Sequence, residues 1–353
     1  MNLDDTDSFA RIDREGMLSH IVGLPEQLRQ AWNLGQELEL PAWRDVQQVL
    51  IAGMGGSAIG AELLATWAAP TCKTPIHVLR DYDLPAWANG PHTLVIGSSH
   101  SGNTEETLSA FEQALQRGCR CLALSTGGAL EKISRQAGAP VWIFEHHGQP
   151  RSAVGYSFGL LLALFARMHL IEAPHDELLA AVESMLRQQE SLGLDIPAAR
   201  NPAKRMAGQL MGRWVVVLGS GVLAPVARRW KGQISELAKA WAQFEFLPEA
   251  DHNSVAGVLE PQDHLPNLTV LFLRGAADHP RNRLRSDLTR KLLMLEGLST
   301  DFIDAQGETP MANLWTGLHM GDYVAYYLAM AYGVDPTPIQ IIGALKREMK
   351  AAG

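Results

Sequence analysis

The chain is short of cysteine, aromatic residues and charge: three cysteines, 7% aromatic and 19% charged residues in a length of 353. Cys72, Cys119 and Cys121 are odd in number and lack metal-ligand spacing, which excludes a disulfide framework and points to reduced, structural thiols. No apolar run reaches the length of a membrane span. The start of the chain, with Asp4, Asp5 and Asp7, lacks the basic segment of a signal peptide. The expected location is therefore cytoplasmic, with no membrane contact. A formal net charge of −8 argues against a broad nucleic-acid surface, so any anionic partner must be small and held in a local pocket.

What the chain does have is 46% hydrophobic residues, enough for two packed domains. Met17, Ile21, Leu24, Leu28, Trp32 and Leu38 recur at roughly helical spacing, which predicts a helical segment before the first strand. Short apolar runs follow at Val49–Ala52, Ile76–Leu79, Leu94–Gly97, Cys121–Leu124 and Val141–Phe144. They alternate with helix-length stretches at Gly60–Ala68, Glu105–Arg117 and Leu130–Ala137. That alternation predicts a parallel sheet covered on both faces. Ser157–Ile171 reads as a buried connecting helix. After a polar stretch with Asp195, Pro197, Asn201 and Pro202, the strand pattern restarts at Trp214–Leu218, Gln243–Leu247, Thr269–Leu273 and Asp301–Ile303. Val49–Ser57 and Val215–Val222 share a strand running into a glycine turn, so two similar domains in tandem are expected. The expected organisation is a helical segment at 1–40, a first domain at 41–155, a helical connection at 156–205, a second domain at 206–335 and a terminal helix at 336–353.

Two loops carry the chemistry. In Leu94-Val-Ile-Gly-Ser-Ser-His-Ser-Gly-Asn-Thr-Glu-Glu-Thr107 an apolar strand breaks into Ser98, Ser99, Ser101, Gly102 and Thr104 just before a helix. Hydroxyl donors, a bare backbone and unpaired N–H groups make an anion site suited to phosphate. The alternative is a capped helix with Ser101 or Thr104 as N-cap, which accounts for one or two hydroxyls but not four. Gly53-Met-Gly-Gly-Ser-Ala-Ile-Gly60 also joins a strand to a helix, and Gly55, Gly56 and Ser57 suit close backbone approach to a ligand. A dinucleotide reading of this turn would use Asp81 near the end of the second strand. Two ligand loops at neighbouring strand ends fit a phosphosugar better.

The pair Gly53–Gly60 and Ser99-x-Ser-Gly-Asn-Thr104 resembles the sugar isomerase (SIS) fold. Gln149–Ser157, Ser235-Glu-Leu-Ala-Lys239, Asp251-His-Asn-Ser-Val-Ala-Gly257 and the tail from Gly321 through Val334-Asp-Pro-Thr-Pro to Leu345-Lys346 follow in order. Together they resemble the bifunctional phosphoglucose/phosphomannose isomerases over nearly the whole chain. The resemblance implies two tandem doubly wound, flavodoxin-like α/β domains. The implied reaction is aldose–ketose isomerisation of glucose or mannose 6-phosphate to fructose 6-phosphate without metal or redox cofactor.

By that resemblance the phosphate rests on Ser99, Ser101 and Thr104, and Gly55, Gly56 and Ser57 line the sugar. Glu236 is the base; the helix stripe Ala227, Trp230, Ile234, Ala238 and Trp241 leaves it facing away from the core, above a bare patch at Gly232. Otherwise it is a solvated carboxylate paired with Lys239 or Arg229. Arg151 stabilises the enediolate, the alternative being an arginine that locks the domain junction through a carboxylate. His252 assists ring opening from across a homodimer interface, unless it is an ordinary loop histidine. Lys346 shares the ring-opening role, although a lysine near a helix C-terminus is expected on dipole grounds alone. Three positions depart from the family pattern: His100, where an aromatic is usual, Asp251 in place of asparagine, and Leu237. Asp251 is expected to favour the charged form of His252. Two other classes remain open: a non-catalytic phosphosugar sensor, for which the chain lacks a basic helix-turn-helix, and a nucleotide-dependent oxidoreductase.

Overall fold

The computed structural model describes residues 2–352. Three helices, α1 (Phe9–Ile12), α2 (Met17–Val22) and α3 (Leu24–Glu37), precede the first sheet. Its strands are β1 (Gln48–Ala52), β2 (Ile76–Leu79), β3 (Thr93–Ser99), β4 (Arg120–Ser125) and β5 (Val141–Ile143), interleaved with α4 (Gly55–Ala68), α5 (Glu105–Gln116) and α6 (Gly128–Gln136). All neighbours pair in parallel in the order β2-β1-β3-β4-β5. Every residue of β3 is buried, as its unbroken apolar run demands in a sheet covered on both faces.

Three helices follow: α7 (Val154–Arg167), α8 (His175–Leu192) and α9 (Pro202–Leu210). α7 is apolar because it is enclosed; it packs along α3, and eleven of its fourteen residues are buried. The second sheet then forms from β6 (Trp214–Gly219), β7 (Ala242–Phe246), β8 (Leu268–Arg274) and β9 (Ser299–Asp304), parallel and ordered β7-β6-β8-β9. α10 (Ala224–Leu237) joins β6 to β7, and α11 (Pro280–Leu295) joins β8 to β9. Short 3-10 turns, among them Glu249–His252, fill the β7–β8 connection. The strands expected from the sequence agree with both sheets.

The chain ends in α12 (Pro310–Tyr332) and α13 (Gln340–Ala352). α12 is buried for nearly its whole length, and no described helix is long and apolar enough to cross a membrane. One expectation needs correction. α10 stops at Leu237, so its apolar stripe is Ala227, Trp230, Ile234 and Leu237, and Trp241 lies beyond it, 73% exposed. The terminal helix forms as α13, with Ile341, Ile342, Leu345 and Met349 exposed.

Both sheets reverse strand order beside their first strand, between β1 and β3 and between β6 and β8. Loops that leave neighbouring strands toward opposite faces open a crevice at such a point, where ligands of doubly wound sheets bind. The glycine turn after β1 and the hydroxyl loop after β3 flank the first crevice.

Candidate active site

The hydroxyl loop folds around its own glycine. Gly102 takes φ +65° and lies so close to the β4–α6 loop that a Cβ would sit 1.7 Å from the Gly127 carbonyl, so only glycine fits. Ser99 Oγ and Thr104 Oγ1 lie 2.8 Å apart, and Ser101 Oγ accepts from the Asn103 amide. Thr104 is the N-cap residue of α5, yet its hydroxyl bonds no helix amide. Side-chain capping therefore does not account for these hydroxyls: Ser99 and Thr104 pair with each other, Ser101 takes the Asn103 amide, and the start of α5 has no side-chain cap.

Gly56 brings the second loop against the third. Its Cβ would stand 2.5 Å from the Pro150 carbonyl and 3.3 Å from the Arg151 Cα, so the start of α4 abuts the 3-10 turn Pro150–Ser152. Ser57 is buried beside it. Asp81, the acid a dinucleotide would need, turns its carboxylate to the Tyr82 amide, and the neighbouring Arg80 pairs with Glu62.

Arg151 is 4% exposed. One terminal nitrogen donates to the carbonyls of Pro336, at 2.9 Å, and Thr337. The other lies 3.6 Å from Glu236 Oε2, and Nε is buried with no partner. Burial first, and Arg229 as a like charge, lower the guanidinium's affinity for its proton. Arg229 stands next to it: it bonds Asp322 at 2.9 and 3.2 Å and donates to the Arg151 carbonyl at 2.8 Å, so both arginines tie this junction together. Glu236 stands in the last turn of α10, one-third exposed, beside the empty flank at Gly232. It pairs with Arg151 rather than with Lys239 or Arg229. Lys239, which the sequence offers only as a partner for Glu236, donates from Nζ to the Glu236 carbonyl at 2.5 Å and to the Pro336 carbonyl at 3.3 Å.

His252 and Lys346 are not brought to this cluster within one chain. His252 is exposed on the 3-10 turn after β7. Asp251 does not face it: the Asp251 carboxylate accepts from Arg285 at 2.9 Å and Thr289 at 2.8 Å. Lys346 lies exposed on α13. His100 turns away from the neighbouring hydroxyls to His146, ring nitrogen to ring nitrogen at 2.9 Å, and edges onto Phe144.

A pair of parallel sheets with a serine-rich loop at a strand end and an Arg–Glu couple at their junction defines a double SIS-domain protein of the phosphosugar class. Residues 199–349 match the family model for the bacterial phospho-glucose isomerase C-terminal SIS domain. A bifunctional phosphoglucose/phosphomannose isomerase from Caldicellulosiruptor bescii is 37% identical over 335 residues, covering 94% of this chain and 98% of its own. One from Aquifex aeolicus is 34% identical, covering 87% and 94%. A tagatose-6-phosphate ketose/aldose isomerase from Escherichia coli shares the fold with a TM-score of 0.69 at 20% identity, covering 92% of this chain and 95% of that one. The chain belongs to the bifunctional phosphoglucose/phosphomannose isomerase family.

Proposed function

We propose that this enzyme interconverts glucose 6-phosphate, mannose 6-phosphate or both with fructose 6-phosphate through an enediolate. The observation that carries the reading is the Arg151–Glu236 couple. A buried guanidinium with an unpartnered Nε stands beside a carboxylate that is still open to a cleft. An unpaired buried donor is costly until a ligand oxygen takes it.

In this reading Ser99, Ser101 and Thr104 hold the phosphate with the first amides of α5, and Gly55, Gly56 and Ser57 line the sugar. Glu236 takes the proton from C2 of the open-chain aldose. The C2–H electron pair forms the C1–C2 double bond, and the carbonyl π pair moves to O1. Arg151 stabilises the charge developing on oxygen. Protonation at C1 and loss of the O2 proton give the ketose. Glucose and mannose phosphates differ at the carbon that loses the proton, so accepting both requires rotation about C2–C3 between steps.

The ring-opening pair is His252 with Lys346, and the enzyme works as a homodimer in which His252 reaches the partner's site. The exposure of His252 supports this, as do the uncovered apolar faces of α13 and of α11, where Leu284, Leu288, Leu292 and Leu295 lie at helical spacing and are 42–73% exposed. Such stripes usually mark an interface.

The test is a coupled assay of fructose 6-phosphate formation from each aldose phosphate. Wild-type turnover is expected, and Glu236→Gln should lower kcat by roughly 10²- to 10⁴-fold, the usual contribution of a positioned acid–base. Normal turnover in that variant would remove Glu236 from proton transfer, and failure of the wild type with both aldoses would sink the substrates.

A further inference from the structure

Lys239 occupies a backbone conformation that its side chain makes unfavourable. It follows the last turn of α10 with φ +55°, in the left-handed region where a helix ending usually places glycine or asparagine. Non-glycine residues held there gather at functional sites, where the surroundings enforce them. The residue is exposed, yet its ammonium folds back onto two carbonyls. One belongs to Glu236. The other belongs to Pro336, 97 residues further along the chain, and is the same oxygen that accepts from Arg151. A lysine that merely capped the helix would need only the first bond.

We propose that Lys239 is a positioning residue: its ammonium clasps the last turn of α10 to the Pro336 carbonyl and so sets how Glu236 approaches Arg151. The assignment rests on the roles given above to Glu236 and Arg151. Moving either by about 1 Å is enough to cost a reaction of this kind roughly 100-fold. The clasp also has a pH range. Burial, then the Arg151 charge, pull the Lys239 ammonium down to about 8, against the weaker favourable pull of Asp335 and Glu236. Arg213 and Tyr332 line the same groove. The charged clasp is complete below that pH and weakens above it.

Three substitutions separate positioning from plain structure. Lys239→Gly removes the ammonium and relieves the left-handed backbone, so its Tm should not fall. Its kcat should drop about 10- to 100-fold with KM nearly unchanged. Lys239→Arg keeps a cation that does not titrate in this range; it should retain most activity and move the alkaline limb of kcat upward. Lys239→Met should lose activity as glycine does. Full activity in Lys239→Gly would overturn the proposal, as would a loss of rate that tracks a loss of Tm, or an unmoved alkaline limb in Lys239→Arg. Inactivity of the wild type would sink the isomerase reading instead. Amide exchange then still decides on the clasp: segments 234–239 and 335–339 should exchange faster in Lys239→Gly than in wild type or Lys239→Arg, and equal exchange would overturn it.

Discussion

His100 illustrates how a residue inside a ligand loop can belong to a different cluster. Its ring meets His146, which in turn stands 5.4 Å from His20 and packs edge-on to Tyr156. Burial, then the neighbouring His100, His20 and His147 charges, lower His146 from 6.5 to about 4. In the unfolded chain the same ring takes a proton near 6.5, so between those values the unfolded state binds more protons. The neutral cluster therefore contributes its stability above pH 6.5 and loses it as pH falls toward 4. The fall in Tm between about pH 7 and about pH 5 should be smaller in His146→Asn than in wild type. Identical pH slopes in thermal scans would show that the ring is not held neutral. From the sequence, His100 was legible only as a departure from a pattern, because its partner lies 46 residues away. Arg229 and Lys239 were hidden for the same reason. A cation near a helix end is ordinary, and the groups that make these two unusual, Asp322 and Pro336, come from the far end of the chain. The hydroxyl loop was legible because strand, hydroxyls, glycine and helix start are consecutive.

At the scale of elements, α10 and α12 are joined by an ion pair with both side chains 4% exposed, Arg229 with Asp322, while Arg228 ties α10 to Glu62 on α4 at 3.0 Å. Such a buried pair need not stabilise relative to an apolar substitute, but removing one partner strands the other charge. Asp322→Asn should cost about 3–5 kcal/mol in denaturant unfolding, and the double change Arg229→Met with Asp322→Leu should recover much of it. A neutral Asp322→Asn would mean that the pair contributes little beyond geometry. Because Arg229 also holds the Arg151 carbonyl, the single variant should lose activity before it unfolds. The sheets were readable from periodicity because fully buried parallel strands are uninterrupted apolar runs. The true end of α10 was not. Ala238, Ala240 and Trp241 continue an apolar pattern through residues where the chain has already turned left-handed at Lys239.

For the whole molecule, one chain leaves two jobs unfinished. It exposes the leucine face of α11 and the Ile341, Ile342, Leu345 and Met349 face of α13, and it keeps His252 outside the Arg151–Glu236 cluster. Asp251 is tied to Arg285 and Thr289 on α11, so the turn that carries His252 is anchored to the helix that bears the exposed leucines. In the homodimer reading each site takes Glu236 from one subunit and His252 from the other. Glu236→Gln and His252→Ala would then each be inactive alone. Unfolded together and refolded at equal concentration, they would form mixed dimers in about half of all assemblies, each with one intact and one doubly altered site, restoring about one quarter of wild-type turnover. If both residues serve the same subunit's site, every site in the mixture carries a lesion and no activity returns. Placing charge on the uncovered apolar face, as in Leu288→Glu with Leu292→Glu, should yield monomers by light scattering and abolish the recovery. Recovery that persists in monomers would refute the shared site.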